Sequence, residues 1–215
     1  MPAGRAPRGG DWCEAFAASE HVVALSIGDV CGHGDEKYAT MVAVRQTIRD
    51  AAGAGLDPAQ ILAEAHRFLR AFDRDEYATA LFALLDTRER TLTFANAGHP
   101  PPLMTALHES MFLEYSGADL PLGIEDSYLP VLRVVRVPVS SLLVLYTDGV
   151  TEHKRKPLQG AAELRAAAIF AVNFSLLPTA DVIEKQMFLT GPNHDDAAIL
   201  VAWTPAGAGP RRITA

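Results

Sequence analysis

Ala80-Leu81-Phe82-Ala83-Leu84-Leu85, a charged turn from Asp86 to Arg90, then Thr91-Leu92-Thr93-Phe94-Ala95: two apolar runs flank a short polar link, the pattern of a β-hairpin. Upstream lie two helical stretches. Downstream, further short strand patterns cover 102–106, 111–115, 132–137, 142–147 and 197–203, with helices over 161–172 and 179–189. A helix pair early, antiparallel strands in the middle and helices late do not alternate as a parallel α/β fold requires. The pattern predicts α+β: two sheets packed face to face with helices outside.

Outward from the hairpin, the helix before it is announced by Asp57-Pro58, an N-cap followed by proline at the first helical position, with Gln60 placed to complete a capping box. Ile61, Ala65, Phe68 and Phe72 would line its inner face. In the helix before that, residues 35–52, Met41, Val44 and Ile48 recur at three-or-four spacing and Arg45 and Arg49 supply a wetter side. Residues 21–30 form an apolar run ending in Gly28-Asp29, a buried strand that delivers a carboxylate to its tip, followed by the turn Cys31-Gly32-His33-Gly34. Residues 1–8 read as a flexible lead-in, 9–204 as one domain, and the Gly/Pro/Ala-rich 205–215 as a disordered tail.

At 215 residues, 49% hydrophobic, the chain can bury a substantial core without staples. Its net charge of −7, with no dense Lys/Arg block, argues against nucleic acid as a partner. Such a chain repels phosphorylated substrates at long range and needs local positive charge, such as metal ions, to hold one. Two cysteines, Cys13 and Cys31, make no disulfide framework and read as free thiols. No apolar run reaches the length of a membrane span and the start has no apolar stretch to serve as a signal peptide, so no membrane role and a cytoplasmic location are expected.

Three aspartates share one kind of position, a strand end beside a flexible turn: Asp29, Asp148 before Gly149, and Asp195 in His194-Asp195-Asp196; Asp11 follows Gly9-Gly10. Any one of them alone is best read as a turn residue. Gathered together, carboxylates repel unless cations lie between them, and an oxygen-only donor set selects hard divalent ions, Mg²⁺ or Mn²⁺. Two such ions activate a water and clamp the oxygens of an in-line displacement at phosphorus.

Six ordered motifs, Gly9-Gly10-Asp11-Trp12, Gly28-Asp29-Val30-Cys31-Gly32-His33-Gly34, Ala95-Asn96-Ala97-Gly98-His99-Pro100-Pro101-Pro102-Leu103, Leu120-Pro121-Leu122-Gly123, Leu145-Tyr146-Thr147-Asp148-Gly149 and Asp195-Asp196-Ala197-Ala198, resemble the bacterial PPM (protein phosphatase 2C-like) serine/threonine phosphatases, in the branch of stage II sporulation protein E and RsbU. The resemblance implies a four-layer αββα sandwich of two antiparallel sheets flanked by helices. It also implies two divalent metal ions, Mn²⁺ or Mg²⁺, in the cleft between the sheets, and hydrolysis of phosphoserine or phosphothreonine on a protein, usually an anti-sigma factor antagonist. By motif, Asp29 would bridge the ions and the Val30 carbonyl would be a ligand, with Asp11 on one ion and Asp148 and Asp195 on the other.

Several positions depart from that pattern. The family usually carries a strand upstream of Gly-Gly-Asp, and its loss would expose a sheet edge and loosen the loop bearing Asp11. Glu14 stands for an aspartate, Lys37-Tyr38 for two small residues, Cys31 for a serine. Lys37 would hold substrate phosphate or simply be a solvated helix lysine. His33 is a candidate general acid for the leaving serine oxygen. His99 reads as a hydrogen-bonded loop residue, Cys31 as packing, and Asp196 as a ligand-supporting acceptor or a turn cap. An active metal-dependent phosphatase is the first reading. The alternatives are a catalytically weak or inactive binding module of the same fold in a sigma-factor partner switch, and a hydrolase of small phosphate esters.

Overall fold

The computed structural model describes residues 9–72, 75–113, 119–125, 130–152, 156–189, 196–205 and 212–214. In chain order the elements are β1 (Asp11–Ala17), β2 (Val22–Val30), α1 (Asp35–Gly53), α2 (Pro58–Phe72), β3 (Ala78–Asp86), β4 (Thr91–Ala97), β5 (Leu103–Ala106), β6 (Glu109–Phe112), β7 (Arg133–Arg136), β8 (Ser141–Tyr146), α3 (Asp148–Glu152), α4 (Pro157–Phe174), α5 (Ala180–Met187), β9 (Ile199–Thr204) and β10 (Arg212–Thr214). Two five-stranded sheets result, ordered β1-β2-β3-β4-β7 and β10-β9-β8-β5-β6. Every pairing of these strands is antiparallel.

Alternation along the strands assigns each side chain to a layer. On β3, Leu81, Ala83 and Leu85 enter the core between the sheets, while Ala80 and Phe82 meet the helices. On β2, Leu25 and Ile27 point between the sheets and Ala24 outward; on β8, Leu143 and Leu145 point inward, Leu142, Val144 and Tyr146 outward. The outer face of the first sheet is covered by Met41, Val44 and Ile48 of α1 with Ile61, Leu62, Ala65 and Leu69 of α2. Leu164, Ala168 and Ala171 of α4 and Ile183 and Met187 of α5 cover the second. The four layers are therefore αββα, as expected.

The predicted capping box of α2 is formed in both directions: Gln60 N–H donates to Asp57 Oδ1 at 2.9 Å and Asp57 N–H to Gln60 Oε1 at 3.1 Å. Three elements differ from the sequence reading. Asp11 lies not on a loop but at the start of β1, an edge strand whose even residues Trp12 and Phe16 pack toward the helices and whose Trp12 indole donates to Ser26 Oγ at 3.0 Å. Asp148 opens the one-turn helix α3 rather than ending a strand. Within the stretch expected to be a disordered tail, Arg212–Thr214 pairs with β9 as β10. Among the described residues, no helix is long and apolar enough to cross a membrane.

Candidate metal centre

The aspartates meet between the two sheets, at the strand ends that Thr147 and Ala198 mark. Asp11 on β1 sits directly opposite Asp29 on β2, and both belong to the odd-numbered face that looks across at the second sheet. Thr147, one residue past β8, reaches back over the gap: its hydroxyl donates to Asp11 Oδ2 at 2.8 Å and accepts the Ala198 N–H at 2.9 Å. The same residue exchanges a backbone bond with Ala198, Thr147 N–H to the Ala198 carbonyl, at 3.1 Å. A single threonine thus ties a carboxylate of the first sheet to the strand ends of the second.

Two glycines make room for the cluster. A Cβ on Gly10 would lie 2.2 Å from the Val30 carbonyl oxygen and 2.8 Å from Asp29 Oδ1, so both oxygens face the same small space. A Cβ on Gly149 would lie 1.9 Å from the Asp196 carbonyl oxygen, so the first turn of α3 and the Asp196 backbone fit together only without a side chain. Asp148 and Asp196 are exposed and Asp29 and Asp11 half-buried, forming an open rim over a more enclosed floor.

Electrostatics mark the same group of residues. Asp11 has its pKa raised from 3.8 to about 6, first by burial, with hydrogen bonds to Thr147 and Asp29 pulling it down and the negative charges of Asp196 and Asp148 pushing it further up. Asp11 therefore feels three other carboxylates around a single cleft. Among the described residues, no three His, Cys, Asp or Glu side chains close on one point as a finished cation cage. The donor chemistry nevertheless fits hard divalent ions: carboxylate oxygens with the Val30 carbonyl beside them, and a carboxyl group held above its ordinary range by burial first and by neighbouring negative charge after it.

Beneath this cleft His99 is buried, its Nδ1 2.9 Å from the hydroxyl of Thr79, the residue paired with Asp29 across β2 and β3. Asn96 clasps the turn, accepting the His99 N–H at 2.7 Å and donating to the His99 carbonyl at 2.8 Å. Burial lowers the imidazole pKa from 6.5 to about 3, the Tyr146 backbone only partly opposing it, so the ring is neutral. That is the hydrogen-bonded loop role expected of it.

The remaining candidates separate. Asp195 and His194 lie outside the described residues. His33 is exposed in the turn before α1 and, among the described residues, makes no hydrogen bond or ion pair. Lys37 is half-buried rather than fully solvated, and its ammonium pairs with Glu76. Glu14 pairs with Arg49 at 3.0 Å, on the flank of β1. Cys31 is exposed rather than packed, its thiol donating to Tyr77 Oη at 2.8 Å, because the turn after Val30 leaves the sheet at that residue. Asp196 is the site residue that sequence alone left undecided. Two adjacent aspartates before a strand give no register, and only the pairing of Thr147 with Ala198 assigns Asp196 to the cleft.

The family model of stage II sporulation protein E (SpoIIE) matches residues 19–205. The phosphoserine phosphatase RsbP of Bacillus subtilis (strain 168) is 27% identical over 148 residues, covering 66% of this chain and 36% of its own. The phosphoserine phosphatase RsbU of the same organism is 25% identical over 138 residues, covering 64% of this chain and 41% of its own. The chain thus spans well under half the length of either relative. The crystal structure of the RsbU and RsbW domains of Rv1364c from Mycobacterium tuberculosis superposes with a TM-score of 0.82 at 28% identity, over 96% of this chain and 59% of that one. Two antiparallel sheets with flanking helices, an aspartate cleft between them and a family match over most of the length lead to one assignment: the chain belongs to the SpoIIE family of PPM-type, protein phosphatase 2C-like domains.

Proposed function

We propose that this domain is a metal-dependent protein serine/threonine phosphatase that removes phosphate from a phosphorylated regulatory protein, an anti-sigma factor antagonist of a partner-switch system. The observation that carries the reading is the convergence of Asp11 and Asp29 from one sheet with Asp148 and Asp196 from the other, joined through the Thr147 hydroxyl. RsbP and RsbU, named as phosphoserine phosphatases, supply the substrate class.

In this reading Asp29 would serve both ions with the Val30 carbonyl as a further ligand, Asp11 would serve one ion, and Asp148 and Asp195 the other. Two bound Mg²⁺ or Mn²⁺ ions would supply an activated water and charge neutralisation at the phosphoryl group. The chain's own contribution is orientation. Thr147 fixes the Asp11 carboxylate by its 2.8 Å bond, the missing side chain of Gly10 leaves the Val30 carbonyl and Asp29 Oδ1 accessible, and that of Gly149 lets α3 seat against the Asp196 backbone. His33, exposed in the turn before α1, would hand a proton to the departing serine oxygen. Cys13 and Cys31, both free thiols, suit a reducing cytoplasm.

The deciding experiment measures inorganic phosphate released from a phosphoserine-bearing antagonist in Mn²⁺, alongside calorimetric metal titration. Release that vanishes on chelation and falls more than about a hundredfold in Asp29→Asn is expected, since even groups supporting a metal ligand act on that scale. Partner binding without metal uptake or release would sink the enzyme reading in favour of an inactive binding module. Faster turnover of free phosphoserine than of the protein would point to small esters.

A further inference from the structure

Strand alternation carries the cleft one step beyond the aspartates. On the face of the first sheet that looks at the second, β2 presents Leu25, Ile27 and then Asp29, and β3 presents Ala83, Leu81 and then Thr79. The next places in those two rows are Cys31 and Tyr77. The ladder still joins them there: the Cys31 N–H donates to the Tyr77 carbonyl at 3.2 Å, and the Cys31 thiol to Tyr77 Oη at 2.8 Å. Tyr77 is 41% exposed, and its hydroxyl feels the charges of both Asp29 and Lys37. A phenol thus stands at the mouth of the cleft, in the row that holds Asp29.

Neighbouring side-chain donors are already committed. The Thr147 hydroxyl donates to Asp11, the Lys37 ammonium pairs with Glu76, and the Cys31 S–H meets the phenol. Among the described residues, the Tyr77 proton has no acceptor but that sulfur. A neutral thiol is a weak donor and a weak acceptor, so it orients the ring without holding the phenol proton against a charged oxygen. The bond to Cys31 is the first of the effects that raise the Tyr77 pKa, and the charge of Asp29 adds to it while Lys37 opposes, so the phenol keeps its proton at neutral pH. A neutral donor also suits a cleft crowded with carboxylates. A lysine would be drawn to them, as Lys37 is to Glu76.

We propose that Tyr77 binds substrate: its hydroxyl donates to a non-bridging oxygen of the phosphoryl group placed over Asp29. This role rests on the phosphatase reading above and adds to it a contact that none of the proposed metal ligands makes. A charged acceptor makes such a bond about twice as strong as a neutral one. Phenylalanine at this position keeps the ring and loses only the donor.

Magnetic resonance of the Mg²⁺-loaded whole chain, isotope-labelled at the tyrosine Cζ and titrated with inorganic phosphate, tests this. Of the signals from the 5 tyrosines, that of Tyr77 is the one lost in Tyr77→Phe. It is expected to shift as phosphate saturates the protein. Tyr77→Phe is expected to weaken phosphate binding by about ten- to a hundredfold, the scale of one hydrogen bond to a charged group. The kcat/KM for a phosphoserine-bearing antagonist falls by the same factor, while calorimetric Mg²⁺ uptake and the urea midpoint stay those of the parent. Phosphate that binds the parent without moving the Tyr77 signal, or that binds Tyr77→Phe as tightly, overturns this role and leaves the phosphatase reading standing. Loss of Mg²⁺ uptake in Tyr77→Phe also overturns it, because the residue then braces the metal loop instead. A parent that binds no phosphate overturns it as well, and one that takes up no Mg²⁺ either sinks the phosphatase reading with it.

Discussion

A neutral imidazole buried under the carboxylates gives the protein a measurable acid sensitivity. His99 takes a proton at 6.5 when unfolded and only at about 3 when folded. The unfolded chain therefore binds more protons between those values, and stability is lost as pH falls from about 6.5 toward 3. His99→Gln, which keeps a polar side chain beside Thr79, is expected to flatten that part of the stability-against-pH curve, read by urea unfolding at fixed temperature. An unchanged slope would mean that other groups set it. Single residues were unevenly legible in sequence. Asp29 and Asp148 stand out because glycine flanks each of them, a local signal. Asp196 does not, since its place depends on the pairing of Thr147 with Ala198, 51 residues apart, which nothing in its neighbourhood encodes. Cys31 and Lys37 were misread for a related reason: their partners, Tyr77 and Glu76, come from the far end of the two-helix excursion.

Among the elements, those specified by their own chemistry were readable and those specified by neighbours were not. Helix α2 announces itself by a reciprocal cap, and its removal has a predictable effect. Asp57→Ala leaves the Gln60 N–H without its acceptor and costs about 0.5–2 kcal/mol, measurable as a shift in denaturant midpoint with unchanged slope. The hairpin of β3 and β4 is equally local, its charged turn closed by Asp86 Oδ1 accepting the N–H groups of Arg88 and Glu89. β1 was missed because a Gly-Gly-Asp start reads as a loop. The alternation of Trp12 and Phe16 against Cys13 and Ala15 was nonetheless present in the sequence. Only pairing with β2, from Asp11 opposite Asp29 to Ala17 opposite Val23, turns that alternation into a strand and braces Asp11. The one turn of α3 and the three residues of β10 are too short for any periodicity to show.

For the whole molecule, the core between the sheets sets the spacing across which the aspartates face each other. Leu81 is fully buried in that core beside residues of both sheets. Leu81→Ala is expected to cost about 2–5 kcal/mol, with metal affinity measured by calorimetry falling as well, because a collapsed cavity draws the sheets together. Stability loss with metal affinity intact would show that the aspartate end is held independently. That end is held by the Thr147 hydroxyl, whose proton is committed to Asp11 while its oxygen takes the Ala198 N–H. Linked hydrogen bonds polarise one another. The Ala198 amide is therefore a built-in spectroscopic reporter: its nitrogen resonance should move during a Mg²⁺ titration, and stay still in Thr147→Val. Occupancy of the cleft becomes readable from one backbone signal, in the resting protein, before any substrate has been identified.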